Sequence, residues 1–283
     1  SQIRLPRLIS DGMVLQRDAK IKIWGWASPN EKIELEFINK KYKTVATKAG
    51  KWIIILPTQK PGGPYEMTFK ASNTVKVKNI LFGDVWVCSG QSNMELPMNR
   101  LKDKYKDVIA LANNSNIRQF LVPDEYYFAN EKEDFSSGEW ISANPINILQ
   151  FSGVAYFFAL EIYEKYKIPI GLINSALGGS PAEAWISEES VKQFPEYYQE
   201  YLKFKDGKLQ IAIDDNDRKV SREWYHSVNN TDIGLKNKWS KSEIDDSGWK
   251  KMNLPGYWAD NELGFTNGSV WFRKEFSLSE IKG

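Results

Sequence analysis

A single histidine, His226, and a single cysteine, Cys88, restrict the chemistry open to this chain. One cysteine forbids an internal disulfide and a cysteine zinc cluster, and one histidine forbids a His-x-x-x-His metal site. No metal and no cofactor are expected. What remains belongs to Ser, Asp, Glu, Lys, Tyr or that one imidazole. Ser92 stands in Gly90-Gln91-Ser92-Asn93-Met94, directly after an apolar run. A serine at a strand-to-helix turn can present its hydroxyl to solvent and its own N–H to a developing oxyanion. A glycine on a neighbouring loop can add a second N–H, since no side chain blocks the approach, and Gly178-Gly179 follows a later apolar run. A plainer reading of these residues stays open, in which Gly90 ends the strand and Ser92 caps the next helix.

Other patterns carry less. Gly90 to Met94 lacks the second glycine of Gly-x-Ser-x-Gly, so the nucleophile elbow of α/β-hydrolases is not matched. Gly50-Lys51-Trp52 lacks the spacing and the following Ser or Thr of a phosphate loop. Asn113, Asn229 and Asn267 each open a glycosylation sequon, a frequent chance match.

The elements that must position Ser92 are readable from periodicity. Residues 1 to about 80 alternate apolar with charged, as in Ile33, Leu35 and Phe37 between Lys32, Glu34 and Glu36. Turns at Asp11-Gly12, Ser28-Pro29-Asn30, Ala49-Gly50 and Pro61-Gly62-Gly63-Pro64 suit a small antiparallel sandwich. From Ile80 to Cys88 the run is nearly all apolar, which predicts a strand buried on both faces, with Cys88 a small buried hydrophobe. Ile117 to Val122 and Pro169 to Ile173 are further strands, and Asn174 to Pro181 is the loop after the last of these. Phe151, Val154, Phe158, Ile162 and Tyr166 predict an amphipathic helix between them. Another helix is expected from about Pro195 through Tyr201 to Phe204, then a polar boundary over Lys205 to Ser221. Beyond it Trp224, Trp239, Trp249, Trp258 and Trp271, with a strand over Ser269 to Leu278, suggest a return to β structure.

Lys plus Arg (38) nearly balances Asp plus Glu (36) and leaves a net charge of +2 with no basic block, so a nucleic-acid partner is not implied. No run of about 18 apolar residues predicts a membrane span. Eleven Trp, 13 Tyr and 14 Phe suit packed β cores and could also offer stacking faces to sugar rings. Three parallel strands are few for an open α/β sheet, so the chain is expected to be the front part of a longer polypeptide.

Gly83-Asp84-Val85-Trp86-Val87-Cys88-Ser89-Gly90-Gln91-Ser92-Asn93-Met94-Glu95 resembles the nucleophile block of the sialate O-acetylesterases, a carbohydrate-esterase branch of the SGNH hydrolases. Ser10 to Arg17, Pro61 to Tyr65, Phe151 to Phe158 and Pro169 to Asn174 are similar to further blocks of that family, as are Gly178 to Trp185, Asp246 to Gly256 and Gly268 to Arg273. The resemblance implies α/β and β structure. An N-terminal β-sandwich would occupy 1–80, an incomplete SGNH-type parallel α/β domain 81–215, and the start of a jelly-roll-like β insertion 216–283. It implies Ser92 as nucleophile, the N–H groups of Ser92 and Gly179 (alternatively Gly178) as oxyanion donors, and Gln91 and Asn93 as shapers of the loop. The family's catalytic His and Asp lie on a block further downstream that has no counterpart here, and His226 is read as an ordinary exposed or packed histidine. The implied activity is a serine esterase working on an O-acetylated glycan or sialic acid, 9-O-acetyl sialic acid first and acetylated plant polysaccharide as the alternative, in a periplasmic or secreted setting, or a lysosomal one in a eukaryote; a non-catalytic carbohydrate-binding β protein is the reading from another class.

Overall fold

The first six strands are β1 (Val14–Gln16), β2 (Ile21–Trp26), β3 (Lys32–Phe37), β4 (Lys40–Val45), β5 (Lys51–Leu56) and β6 (Gly62–Lys70), with the alternation of apolar and charged side chains clearest in β3. Because side chains on a strand face opposite sides in turn, Ile33, Leu35 and Phe37 enter the core while their charged neighbours stay outside. Strands β2 and β5 pair as a two-stranded antiparallel sheet. Strands β4, β3 and β6 run on into the main sheet. Trp52, Phe69, Phe82, Ile23, Leu35 and Leu56 are fully buried in the core of this region, each contributing about 1.5–3 kcal/mol. The computed structural model describes residues 2–277.

The next strand, β7 (Thr74–Gly90), is 17 residues long and belongs to two neighbourhoods. Its first half pairs antiparallel with β6 as far as Phe82. Its second half, Asp84 to Gly90, pairs in parallel with β10 (Ile170–Ala176). The expected boundary at 80/81 therefore falls inside one unbroken strand. Strand β8 (Asn114–Leu121) lies parallel on the far side of β10, and β9 (Trp140–Ala143) closes that edge antiparallel. The sheet order is β4-β3-β6-β7-β10-β8-β9, with β1 parallel beside Leu81 to Gly83. The three parallel strands read from the sequence are β7, β8 and β10. Beyond Phe82 the β6 side of β7 has no strand partner among the described residues. Trp86 and Val87, near the end of this stretch, are exposed.

Short helices α1 (Ser92–Glu95) and α2 (Lys106–Leu111) follow β7. Helix α3 (Gly153–Tyr166) starts at Ser152, whose hydroxyl accepts the Ala155 N–H, and stops at Lys167 in a left-handed conformation. The helix forms where expected but turns a different face inward. Gly153, Ala155, Tyr156 and Ala159 are buried, whereas Val154, Phe158 and Tyr166 of the predicted stripe are exposed. Small residues let the helix lie close to the sheet, which leaves the large side chains on its outer flanks. Helix α4 (Glu188–Val191) precedes α5 (Pro195–Phe204), which begins with Pro at its first position, as the sequence predicted.

Two side chains staple this region. Arg118 on β8 is 3% exposed and has no carboxylate partner among the described residues. It donates instead to the carbonyls of Ser115, Gly12 and Asn79 and to Asn79 Oδ1, at 2.5–2.9 Å. Burial pushes its guanidinium down to about 10, still protonated at neutral pH. Glu31 accepts the backbone N–H groups of Ser28 and Ser72, both at 2.8 Å, and the Ser72 side chain, then these two N–H groups, hold its carboxyl at about 2. A carboxyl lowered in the folded state contributes stability that is complete above its unfolded pKa and fades as pH falls from the ordinary Glu range toward 2. Glu31→Gln is expected to lower the urea midpoint at pH 7 and to lose less stability between pH 5 and pH 2 than the parent.

The chain divides into two compact units, Ser1–Lys205 and Asp206–Gly283. The second corrects the sequence reading. Lys205 to Ser221, expected as a polar boundary, lies largely within α6 (Lys208–Thr231). Leu209, Ile213, Val220, Trp224 and Val228 recur at helical steps there, and Arg218–Asp215 and Lys219–Glu223 pair along its surface. A short α7 (Ile233–Lys236) follows, capped by Asp232. No strand occurs among the described residues of this unit, so the jelly-roll-like insertion expected over 216–283 is not seen. The expected strand over 269–278 is absent from 269–277, and Leu278 lies outside the described residues. An extended segment needs a neighbour to pair with, and none is present among the described residues of this unit. Trp271 and Arg273 bond instead to Asp232, Asp246 and the carbonyls of Trp239, Lys241 and Ser242. No described helix is long and apolar enough to cross a membrane.

Candidate active site

Parallel pairing brings the two candidate loops together. Ser175 is in register with Ser89 and Ala176 with Gly90, so β7 and β10 end side by side at their carboxyl ends. Gly90 has φ +147°, a value that favours glycine, and this lets the chain leave the strand and enter α1 within two residues. Ser92 is the first helical residue, not the cap. The N-cap position is held by Gln91, and the Ser92 hydroxyl makes no hydrogen bond among the described residues. The side chain is exposed. Ser92 therefore does not serve the helix as a cap.

Three bonds join the loops. The Leu177 N–H donates to the Gly90 carbonyl at 3.0 Å. Gln91 Nε2 donates to the Ser180 carbonyl. The Gly178 N–H donates to Glu95 Oε2 at 2.5 Å. Gly178 abuts Ser92 directly, since a Cβ there would lie 3.4 Å from Ser92 Cβ. Gly179, with φ +77°, faces open space and its N–H has no partner among the described residues. Of the two glycines, only Gly179 keeps a free donor. Ser180 is buried, its hydroxyl donates to the Leu177 carbonyl at 2.6 Å, and Trp185 Nε1 donates to that hydroxyl at 2.9 Å. Trp185 itself is 41% exposed, an aromatic surface beside the loop.

Among the sequence-predicted residues, the structure brings together Ser92, Gln91, Gly178 and Gly179. Asn93 is exposed and its side chain makes no hydrogen bond among the described residues. His226, on α6, is exposed and its Nε2 pairs with the Asn230 side chain at 2.8 Å, one helical turn on. Cys88 is buried, and burial pushes its thiol up, as suits a packing residue. No cluster of His, Cys, Asp or Glu able to hold a metal ion occurs among the described residues.

Glu95 is the residue that sequence reasoning missed. Ser92-Asn93-Met94-Glu95 has the Ser-x-x-Glu spacing of a capping box, in which the Glu would reach back to its own helix. Here the carboxylate turns outward to Gly178. Asp124, three residues past the end of β8, also feels it: burial and the Glu95 charge both raise its carboxyl above the ordinary range. The glycine pair, the free N–H groups and an unencumbered serine are suited to acyl transfer through a tetrahedral oxyanion.

Known proteins match this part of the chain. Residues 82–211 fit the family described as carbohydrate esterase, sialic acid-specific acetylesterase. The human sialate O-acetylesterase is 32% identical over 208 residues, covering 67% of this chain and 40% of the human protein. The mouse enzyme of that name is 31% identical over 211 residues, covering 67% and 38%. A solved structure described as a carbohydrate acetylesterase from Xanthomonas citri superposes with a TM-score of 0.65 at 39% identity, over 67% of this chain and 43% of that one. The chain spans about 40% of the length of the curated relatives it matches. Together with the paired loops at the ends of β7 and β10, these matches establish that the chain belongs to the sialate O-acetylesterase family of carbohydrate esterases.

Proposed function

We propose that this chain carries the nucleophile of a serine esterase that removes O-acetyl groups from carbohydrate, with 9-O-acetyl sialic acid as the substrate. The observation that carries this reading is the exposed, uncommitted Ser92 beside a loop whose Gly179 N–H is free. Ser92 Oγ attacks the acetyl carbonyl, and the tetrahedral oxyanion rests on the N–H groups of Ser92 and Gly179. The sugar hydroxyl leaves, and water then clears the acetyl-enzyme. The exposed Trp185 ring offers an apolar face against which a sugar could lie.

The base comes from outside these residues in this reading, as a His with its Asp partner. Three observations support that. His226 is engaged with Asn230, the relatives are much longer, and beyond Phe82 the β6 side of β7 has no strand partner among the described residues. Without an imidazole, the Ser92 hydroxyl is a weak nucleophile at neutral pH, so residues 1–283 alone turn over poorly. In this reading the enzyme works in a periplasmic, secreted or lysosomal setting.

Treatment of the full-length protein with an aryl fluorophosphonate, followed by peptide mapping, tests the assignment. The adduct is expected on Ser92; an adduct on another serine would overturn it.

A further inference from the structure

We infer that Glu95 is a positioning residue for the oxyanion site: it takes the Gly178 N–H, clamps the Leu177 to Ser180 turn against the Ser92 turn, and leaves Gly179 as that turn's donor. The inference rests on Ser92 as nucleophile and deepens that reading. Two consecutive glycines offer two N–H groups of different fate. The Gly178 N–H is spent on Glu95 Oε2, and the Gly179 N–H is free among the described residues.

Position 178 lies tight against the clamp. A Cβ there would fall 2.5 Å from Glu95 Oε2, with Ser92 Cβ at 3.4 Å. No side chain fits while the carboxylate is in place. On either side of Gly179 the chain is tied down. Leu177 is bonded to Gly90, and Gly178 to Glu95. The Ser180 carbonyl accepts from Gln91, and the Ser180 hydroxyl donates to Leu177. Gly179 itself, with its left-handed backbone, has nothing within 4 Å of its Cβ position. A donor held by its neighbours but left unpaired needs no reorganisation when charge develops on the substrate. Glu95 contributes by accepting one hydrogen bond, and it moves no proton.

Three variants of the full-length protein separate this from other roles, assayed on an aryl acetate. Glu95→Ala is expected to lower kcat about 10- to 100-fold with KM within about twofold, because a misplaced oxyanion donor weakens the transition state and not substrate binding. Glu95→Gln keeps a carbonyl acceptor at the same place without the charge, and is expected to recover kcat to within about threefold of the parent. Ser92→Ala, run beside them, reports on the nucleophile separately. A parental kcat in Glu95→Ala alongside an inactive Ser92→Ala would overturn the positioning role while sparing the nucleophile. Glu95→Gln as slow as Glu95→Ala would also overturn it, by assigning the effect to the negative charge. Should Ser92→Ala keep its turnover, the underlying reading falls and this one with it.

Discussion

Ser92→Ala in the full-length protein is expected to lower kcat for aryl-acetate hydrolysis by roughly three to six orders of magnitude, with any glycan binding kept. The size of the effect follows from what Ser92 does and does not touch. Its hydroxyl bonds to nothing among the described residues, it is exposed, and Gln91 holds the cap position. Alanine fits the first turn of a helix without cost, so the change in folding free energy should stay within about 0.5 kcal/mol. A loss of rate with an unchanged melting curve then belongs to chemistry. A carbohydrate-binding protein without catalysis makes the opposite prediction, since its residual hydrolysis would not depend on Ser92. Parallel measurement of turnover, melting and glycan binding decides between the two.

The second large effect concerns stability. Arg118→Leu is expected to lower the unfolding free energy by about 3–5 kcal/mol, read as a fall in urea midpoint at unchanged slope. Leucine fills much of the space but leaves the carbonyls of Ser115, Gly12 and Asn79 without their donor. The Gly12 acceptor is in a buried contact and those of Ser115 and Asn79 are partly buried, and an orphaned acceptor costs about 1–3 kcal/mol, with the less buried ones at the low end. Arg118→Lys should fall between, because an ammonium keeps the charge but cannot reach acceptors spread around a planar fork. If Arg118→Leu melts with the parent, the buried guanidinium is not a staple.

The parts of this fold legible in the sequence are those in which one strand or helix explains its own pattern. The alternation of Ile33, Leu35 and Phe37 states which face of a strand is covered, whereas the continuous run into Cys88 overstates it: Ile80 to Gly83 and Cys88 are buried, but Trp86 and Val87 are exposed. Pro195 announces the start of α5. The failures share a different cause. Helix α3 is apolar on more than one side, so the choice between Val154 and Ala155 for the inner face is made by how closely the sheet approaches. Strand content near Trp271 was inferred from composition, although a strand exists only through a partner, and 206–277 supplies none. At the candidate site, the turns that hold Ser92 and the two glycines were legible because turn chemistry is local, and the structure sets them side by side. Glu95 was not, since its bond to Gly178 spans 83 positions of sequence and its spacing from Ser92 has an ordinary local meaning.

Strand β7 makes the N-terminal strands a gauge for the candidate site. The antiparallel register with β6 fixes where Ile80 and Phe82 lie, and the same strand runs without interruption to Gly90, two residues before Ser92. A slip of one residue in that register would carry Ser92 about 3.3 Å along the strand axis and turn the strand's side chains to the opposite face. The tight alternation of the non-catalytic strands thus sets the height at which Ser92 meets its glycine loop.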